Sequence, residues 1–400
     1  MPTPALHLAV EIDGDGAHPA AWRHAAHAPD RLLSPRHVAR VASAAENAGF
    51  TLVTLDDSLL PPDSGTGVVG RIGSVERAAF IAASTSVLGV APIVPTTYAE
   101  PFHVSSQLAS LDHIAAGRAG WVVTAEESDE AARAWGRPLV EGAAARSREA
   151  RDSVRVSRDL WDSWEDDAVI RSVATSRYLD RDRLHYVDFT GETFAVKGPA
   201  IVPRPPQGQL VVLAEHGLVP PEQLDVALVG GHDTAAVRAA ASASGTPLTF
   251  AEVEVALDTP RHTARERVAD LERYAPWRDR GRLRHTGSAG ELVALLAELG
   301  RYVDGVRLHP LVLDEDLPVL SRLVLPDLLG RRLAARPTAG SSLRTTLGLP
   351  RPDSRFAASS AAAHATAPAP ATAAVAAGAT TAHTTTAADA VATAVPEETR

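Results

Sequence analysis

The chain has 400 residues, 45% of them hydrophobic, and a formal charge of −10, so it holds enough apolar material for at least one large core. The acidic balance argues against a nucleic-acid or anionic-membrane partner, because both require clustered basic surface. There is no cysteine, which excludes disulfides, thiolate metal sites and cysteine nucleophiles.

The N-terminal stretch MPTPALHLAVEIDGDG has no basic leader and no apolar core of export length, and no run approaches the roughly 18 apolar residues of a membrane span. A soluble, cytoplasmic protein with no membrane partner is expected. In chain order, the first strand is Leu8–Ile12. It is followed by GAHPAAWRHAAH, where no spacing of His18, His24 and His27 nominates a complete metal shell, so these histidines read as structural or solvated. A helix over Pro35–Ala48 opens at Ser34-Pro35. A strand at Leu52–Leu55 then runs into Asp56-Asp57-Ser58.

The run Gly65–Gly70, GTGVVG, formally matches a dinucleotide fingerprint, but the strand has already ended, prolines intervene and no helix opens at the third glycine. It reads as a flexible loop. A helix over Ser74–Ser84 precedes the cassette that carries most information: an apolar strand Val87–Val94, the polar Pro95-Thr96-Thr97, a helix over Pro101–Ala116, and a strand Ala119–Val123 ending at Thr124. His103 and His113 lie too far apart along that helix to share a ligand.

A helix over Ala143–Trp161 leads to residues 170–206, where short alternating runs and Thr190-Gly191 predict a hairpin insertion. The pattern resumes with strands Leu210–Leu213, followed by Glu215-His216, and Val226–Val229, then a helix over Thr234–Ala243 and a strand Thr249–Leu257. Helices follow at Arg261–Tyr274 and at Ser288–Gly300, the latter with Glu291 placed for a capping box. The last strand, Gly305–Leu308, ends at His309-Pro310 before a helix over Leu317–Gly330.

Eight strands alternating with helices predict a parallel sheet closed into a (β/α)8 TIM barrel over residues 1–350, with a hairpin insertion before strand five. An open doubly wound sheet is the rival. Residues 351–400 are rich in Ala, Thr and Pro, with no aromatic after Phe356, and are expected to be a disordered tail. In a barrel the carboxyl ends of the strands share one mouth, so Asp56, Asp57, Ser58, Thr96, Thr97, Thr124, Glu215, His216 and His309 form the candidate site. Walker, G-x-S-x-G and H-E-x-x-H patterns are absent, and no metal site is expected. A mouth rich in hydroxyls suits an organic cofactor held by hydrogen bonds.

Several segments together resemble the luciferase-like flavin monooxygenases, in the branch of the nitrilotriacetate, pristinamycin and dibenzothiophene-sulfone enzymes. They are HPAAWRH at His18–His24, Asp57-Ser58, TTYAEPFHVSSQLASLDHIAAGRAGW, LWDSWEDDA at Leu160–Ala168, VDFTGETFAVKGP at Val187–Pro199, PRPPQG at Pro203–Gly208 and TLGLPRP at Thr346–Pro352. The resemblance implies reduced FMN supplied by a separate flavin reductase, dioxygen, a small organic substrate and a homodimer. The deazaflavin F420 belongs to a different branch. Carried over, Asp57 and Ser58 lie near the flavin ring, Thr96, Thr97 and Thr124 contact it, and Arg146 approaches the phosphate. His216 or His309 serves as a base.

Three positions depart from the family pattern. Val122 stands where an Asn is usual, Ser147 where a Tyr is usual, and Ala214-Glu215-His216-Gly217 replaces a turn that binds phosphate through backbone amides. A carboxylate near a phosphate costs on the order of 1–4 kcal/mol at intermediate dielectric. These departures imply weakened flavin binding. The alternative is a barrel that has lost flavin and acts as a binding or partner subunit.

Overall fold

The computed structural model describes residues 5–61 and 70–356, and everything below concerns these residues. Thirteen strands form: β1 (His7–Glu11), β2 (Leu52–Leu55), β3 (Gly89–Pro95), β4 (Gly120–Thr124), β5 (Val169–Ser172), β6 (Arg177–Leu179), β7 (Val187–Thr190), β8 (Ala195–Gly198), β9 (Val211–Glu215), β10 (Val226–Val229), β11 (Leu248–Leu257), β12 (Leu283–Gly287) and β13 (Gly305–Pro310). Eight of them close a ring in the order β1, β2, β3, β4, β9, β10, β11, β13 and back to β1, every pairing parallel. The closed barrel therefore stands and the open sheet falls.

The helices are α1 (Pro35–Ala48), α2 (Ser74–Ser84), α3 (Pro101–Ile114), α4 (Asp129–Trp135), α5 (Ala143–Asp162), α6 (Thr234–Ala243), α7 (Ala264–Glu272), α8 (Ala289–Leu299), α9 (Leu313–Val319), α10 (Leu325–Gly330) and α11 (Leu343–Thr346). A π-helical turn, Leu320–Val324, joins α9 to α10 between Pro318 and Pro326, which lack the amide hydrogens of a regular ladder. No helix is long and apolar enough to cross a membrane.

Local chemistry explains most boundaries. Ser288 and Glu291 make the expected capping box at α8, and Thr263 with Glu266 makes a second one that starts α7 later than sequence alone suggests. Ser34 makes no side-chain cap, so α1 opens on Pro35 alone. Strand β12 and helix α4 have no counterpart in the sequence reading. β12 pairs with β11 over Val253–Leu257, beyond the point where β10 stops, and so extends the wall of the mouth. The insertion is two antiparallel hairpins, β5–β6 and β7–β8, the second turning at Gly191. Between β9 and β10 there is only a short 3-10 turn, Pro221–Gln223, where a barrel would place a full helix.

Inside the ring the lower layers are apolar: Ala9, Leu52, Ala91, Val122, Leu213, Leu228 and Phe250 meet there. Leu343 of α11 closes the bottom against Gly89 and Gly120, where an added Cβ would sit 2.9 and 3.2 Å from its methyl groups. Arg344 locks this plug, donating to both oxygens of Asp225 at 2.9 and 3.0 Å and to the carbonyl oxygen of Gln209 at 2.7 Å. The first residues of the Ala/Thr/Pro-rich segment pack on the insertion and on the turn that leads into it, with the Phe356 ring stacked on His185 and Arg351 on Asp166. Residues 357–400 fall outside the description, as do 62–69 and hence most of the glycine-rich run.

Asp225 keeps Arg158 at 2.9 Å when Arg344 is lost, so Arg344→Ala, which removes the buried hydrogen bonds of the plug, should destabilise the fold by about 1–3 kcal/mol. Urea unfolding of the variant checks this. A midpoint equal to that of the parent would show that the plug contributes nothing.

Candidate active site

Residues two apart on a strand share a face, so the positions above Ala9, Leu52 and Phe250 also point into the barrel. Here the lining turns polar: Glu11 on β1, Thr54 on β2, Glu252 and Glu254 on β11, Arg307 and His309 on β13. Arg307 grips Glu252 with two parallel hydrogen bonds of 2.7 Å, and Thr54 donates to Glu11 at 2.9 Å. His309 is 1% exposed; its Nε2 lies 3.1 Å from Glu252 and its Nδ1 3.2 Å from a guanidinium nitrogen of Arg282. Since Arg282 can only donate, Nδ1 is the acceptor and Nε2 carries the proton. Trp277 and Arg284 hold Glu254 from the other side at 2.7 and 3.3 Å.

Burial alone would raise the pKa of Glu252, but Arg307 and His309 outweigh it and hold this carboxylate well below the usual range. Burial, reinforced by Arg282, lowers His309. Asp56, at the exit of β2, goes the other way: burial and the nearby charges of Glu11 and Asp13 push it up to about 7. An inner chamber of about 70 Å3 brings Glu11, Asp13, Asp56, Arg282 and His309 together. It adjoins an outer cavity of about 390 Å3, and Asp13, Asp56 and Arg280 line both. The outer cavity is within the size range of small-molecule sites.

The expected site residues are divided among different surroundings. Asp57 accepts from the Ser58 amide at 2.9 Å and the Ser74 amide at 2.7 Å, tying the exit of β2 to the start of α2. Ser58 accepts from the Leu60 amide. Thr96 donates to the Thr124 carbonyl at 3.1 Å, and Thr97 accepts from the Glu126 amide at 2.9 Å. Thr97 is fully buried, and the Thr124 hydroxyl makes no hydrogen bond among the described residues. Arg146 lies 3.4 Å from Glu127 in the first turn of α5. Glu215 and His216 are exposed, and His216 lines a separate hollow of about 190 Å3 with Ser147 and Pro221, beside the missing helix. His216 and His309 therefore occupy different cavities. Val122 is buried inside the barrel, between Ile93 and Leu213.

Glu11, Asp13, Glu252, Glu254, Arg282 and Arg307 were not among the expected site residues. The signal existed: FAEVEVAL places two acids on one face of an apolar strand, and GVRLHP places a cation and a histidine on one face of another. Among the described residues, no group of His, Asp and Glu could hold a metal ion.

The raised Asp56 makes stability pH-dependent. Unfolded aspartate titrates near 3.8, so the folded state keeps a proton that the unfolded state releases between there and about 7. Asp56 thus contributes fully to stability below pH 3.8, and that contribution is lost as pH rises through 7. Asp56→Asn should remove the loss, gaining about 3 kcal/mol relative to the parent between about pH 4.5 and 8. Urea unfolding at both pH values measures it, and a pH-independent difference would refute the assignment.

With the geometry in place, comparisons with known proteins converge. The family model "Luciferase-like monooxygenase" matches residues 16–289. The N-acetyl-S-(2-succino)cysteine monooxygenase of Bacillus subtilis (strain 168) is 37% identical over 210 residues, covering 52% of this chain and 47% of that protein. As with several other curated relatives, the chain spans about half of that protein's length. A pristinamycin IIA synthase subunit of Streptomyces pristinaespiralis is 30% identical over 329 residues, covering 81% of this chain and 92% of that protein. Among solved structures, a long-chain alkane monooxygenase superposes with a TM-score of 0.73 at 21% identity over 87% of this chain and 96% of its own, a likeness of fold. From strand order to sequence match, the chain belongs to the luciferase-like monooxygenase family.

Proposed function

We propose that this protein is a monooxygenase that uses reduced FMN, supplied by a separate reductase, and dioxygen to oxygenate a small organic substrate. The observation that carries this reading is the family match over 16–289, which spans the mouth from its first loop to the start of α8. The Thr124 hydroxyl, at the end of β4, makes no hydrogen bond among the described residues and supports a contact with the polar edge of a flat heterocycle, whereas Thr97, two residues past the end of β3, is fully buried and would serve that contact from behind. Asp57 and Ser58 shape the turn beside them, and Thr96 orients Thr124 through its carbonyl. Arg146 would face the phosphate, with Glu127 already beside it.

A reduced flavin, when bound, supplies the activation of dioxygen. The chain's own residues bind and orient the partners, exclude water and hold protons. Asp56, titrating near neutrality on the wall shared by both cavities, is suited to give or take a proton there. His309 keeps its Nε2 proton on Glu252, and its Nδ1, which accepts from Arg282, is the basic position of the ring. His216, on the flank hollow, has no part in this chemistry.

A second reading has its own support: Val122 offers no polar group toward the ring, Glu215 opposes a phosphate, and the Streptomyces relative matched over most of its length is named as one subunit of a synthase. In it the chain is the partner subunit of another oxygenase component. Flavin titration separates the two. The monooxygenase reading expects weak but measurable binding of reduced FMN, tightened by about tenfold or more in Val122→Asn combined with Glu215→Ala. No binding at millimolar FMN would leave the partner-subunit reading standing, and an unchanged affinity in the double variant would refute the roles given to Val122 and Glu215.

A further inference from the structure

The outer cavity holds polar atoms that nothing in the protein satisfies. His18 is 2% exposed; its Nδ1 accepts the Ala20 amide at 3.0 Å, so the proton of this neutral imidazole sits on Nε2, which is buried without a partner. Burial lowers the pKa of His18, which keeps the ring neutral near pH 7. Arg77 donates through its terminal nitrogens to Asp13 and to the Asp56 carbonyl, leaving its buried Nε–H unpaired. Both residues line the same cavity. A buried, unmade hydrogen bond costs about 1–3 kcal/mol, so two converging on one cavity call for an acceptor brought from outside.

The rim points the same way. Arg71, Arg278 and Arg280 line the cavity and are exposed, and their side chains make no hydrogen bond or ion pair among the described residues. The aspartates of the cavity are offset: Asp13 by Arg77, and Asp15 and Asp56 by a raised affinity for a proton, with Asp15 Oδ1 buried 3.0 Å from His27 Nε2. Arg77 is spent on Asp13 and Arg71 already acts on Asp13 and Asp56, so the excess positive charge comes from Arg278 and Arg280, in a protein whose overall charge is −10. The remaining wall is apolar, with Trp22, Leu32 and Leu33.

We propose that the outer cavity is the substrate site and that the substrate is an organic carboxylate. Its oxygens take the donors of His18, Arg77 and the rim arginines, and its apolar body lies along the Trp22 wall. This rests on the monooxygenase reading for the word substrate, but the binding itself needs no flavin. Guanidinium groups suit a carboxylate because they donate two parallel hydrogen bonds to it.

The test is calorimetric titration of the full-length protein, with and without FMN, using succinate, phenylacetate and octanoate and the amide of each. At least one acid should bind with an affinity about tenfold or more above its amide. That preference should fall by about tenfold in Arg278→Ser/Arg280→Ser, whose exposed side chains the fold does not need, and in His18→Phe. Equal binding of acids and amides, an unchanged preference in the arginine variant, or no acid bound at about 10 mM would each overturn the proposal. Carboxylate binding without flavin binding would defeat the monooxygenase reading alone, and flavin binding without carboxylate binding would defeat this one alone.

Discussion

The double hydrogen bond between Glu252 and Arg307 is the interaction on which the mouth depends. It joins neighbouring strands of the ring, and the partners are only 6% and 4% exposed, so neither charge has water to fall back on. Removing one partner of such a pair typically costs about 3–5 kcal/mol, because the other is stranded. From this pair the remaining polar contacts extend in order. Glu252 fixes His309, His309 and Glu252 fix Arg282, and Arg282 reaches Glu254.

That network divides the barrel into two physical regimes. Below it the interior is aliphatic, closed by Leu343 and locked by Arg344. Above it the lining is charged, and groups that would be ordinary at a surface are displaced from their usual protonation. The inner chamber holds Asp56 close to neutrality while Glu252, on the far side of β1 and β13, is kept firmly ionised. The difference follows from company: Glu252 has two cations within hydrogen-bonding distance, whereas Asp56 is set beside other acids.

Much of this was legible in the chain. Alternation of apolar runs with capped helical patterns led to the eight-stranded ring, and the strand ends carried Asp56, Thr97, Thr124 and His309 to one mouth, as barrel logic requires. The site was harder. Thr96 and Asp57 look like cofactor contacts in sequence, but the folded chain spends them largely on its own backbone. His18 looked like a spare histidine, because only the fold shows that its Nε2 is sealed in a cavity without an acceptor. Arg278 and Arg280 lie in a polar loop with no pattern of its own, and β12, whose short run was hidden among arginines, is what holds that loop over the mouth.

The sequence by itself determined the periods: two along strands, near four along helices, with caps and prolines marking their ends. These are local, since each is set by residues within a turn or two of one another. It also determined the family, because that signal is spread over most of the chain. Only the tertiary structure decided which charges meet. Glu252 and Arg307 are 55 residues apart, Arg282 and His309 27, and the order in which strands close the ring brings them within 3.2 Å of their partners. A protonation state depends on neighbours in space and on water removed by the whole fold, and neither quantity exists until the barrel has closed.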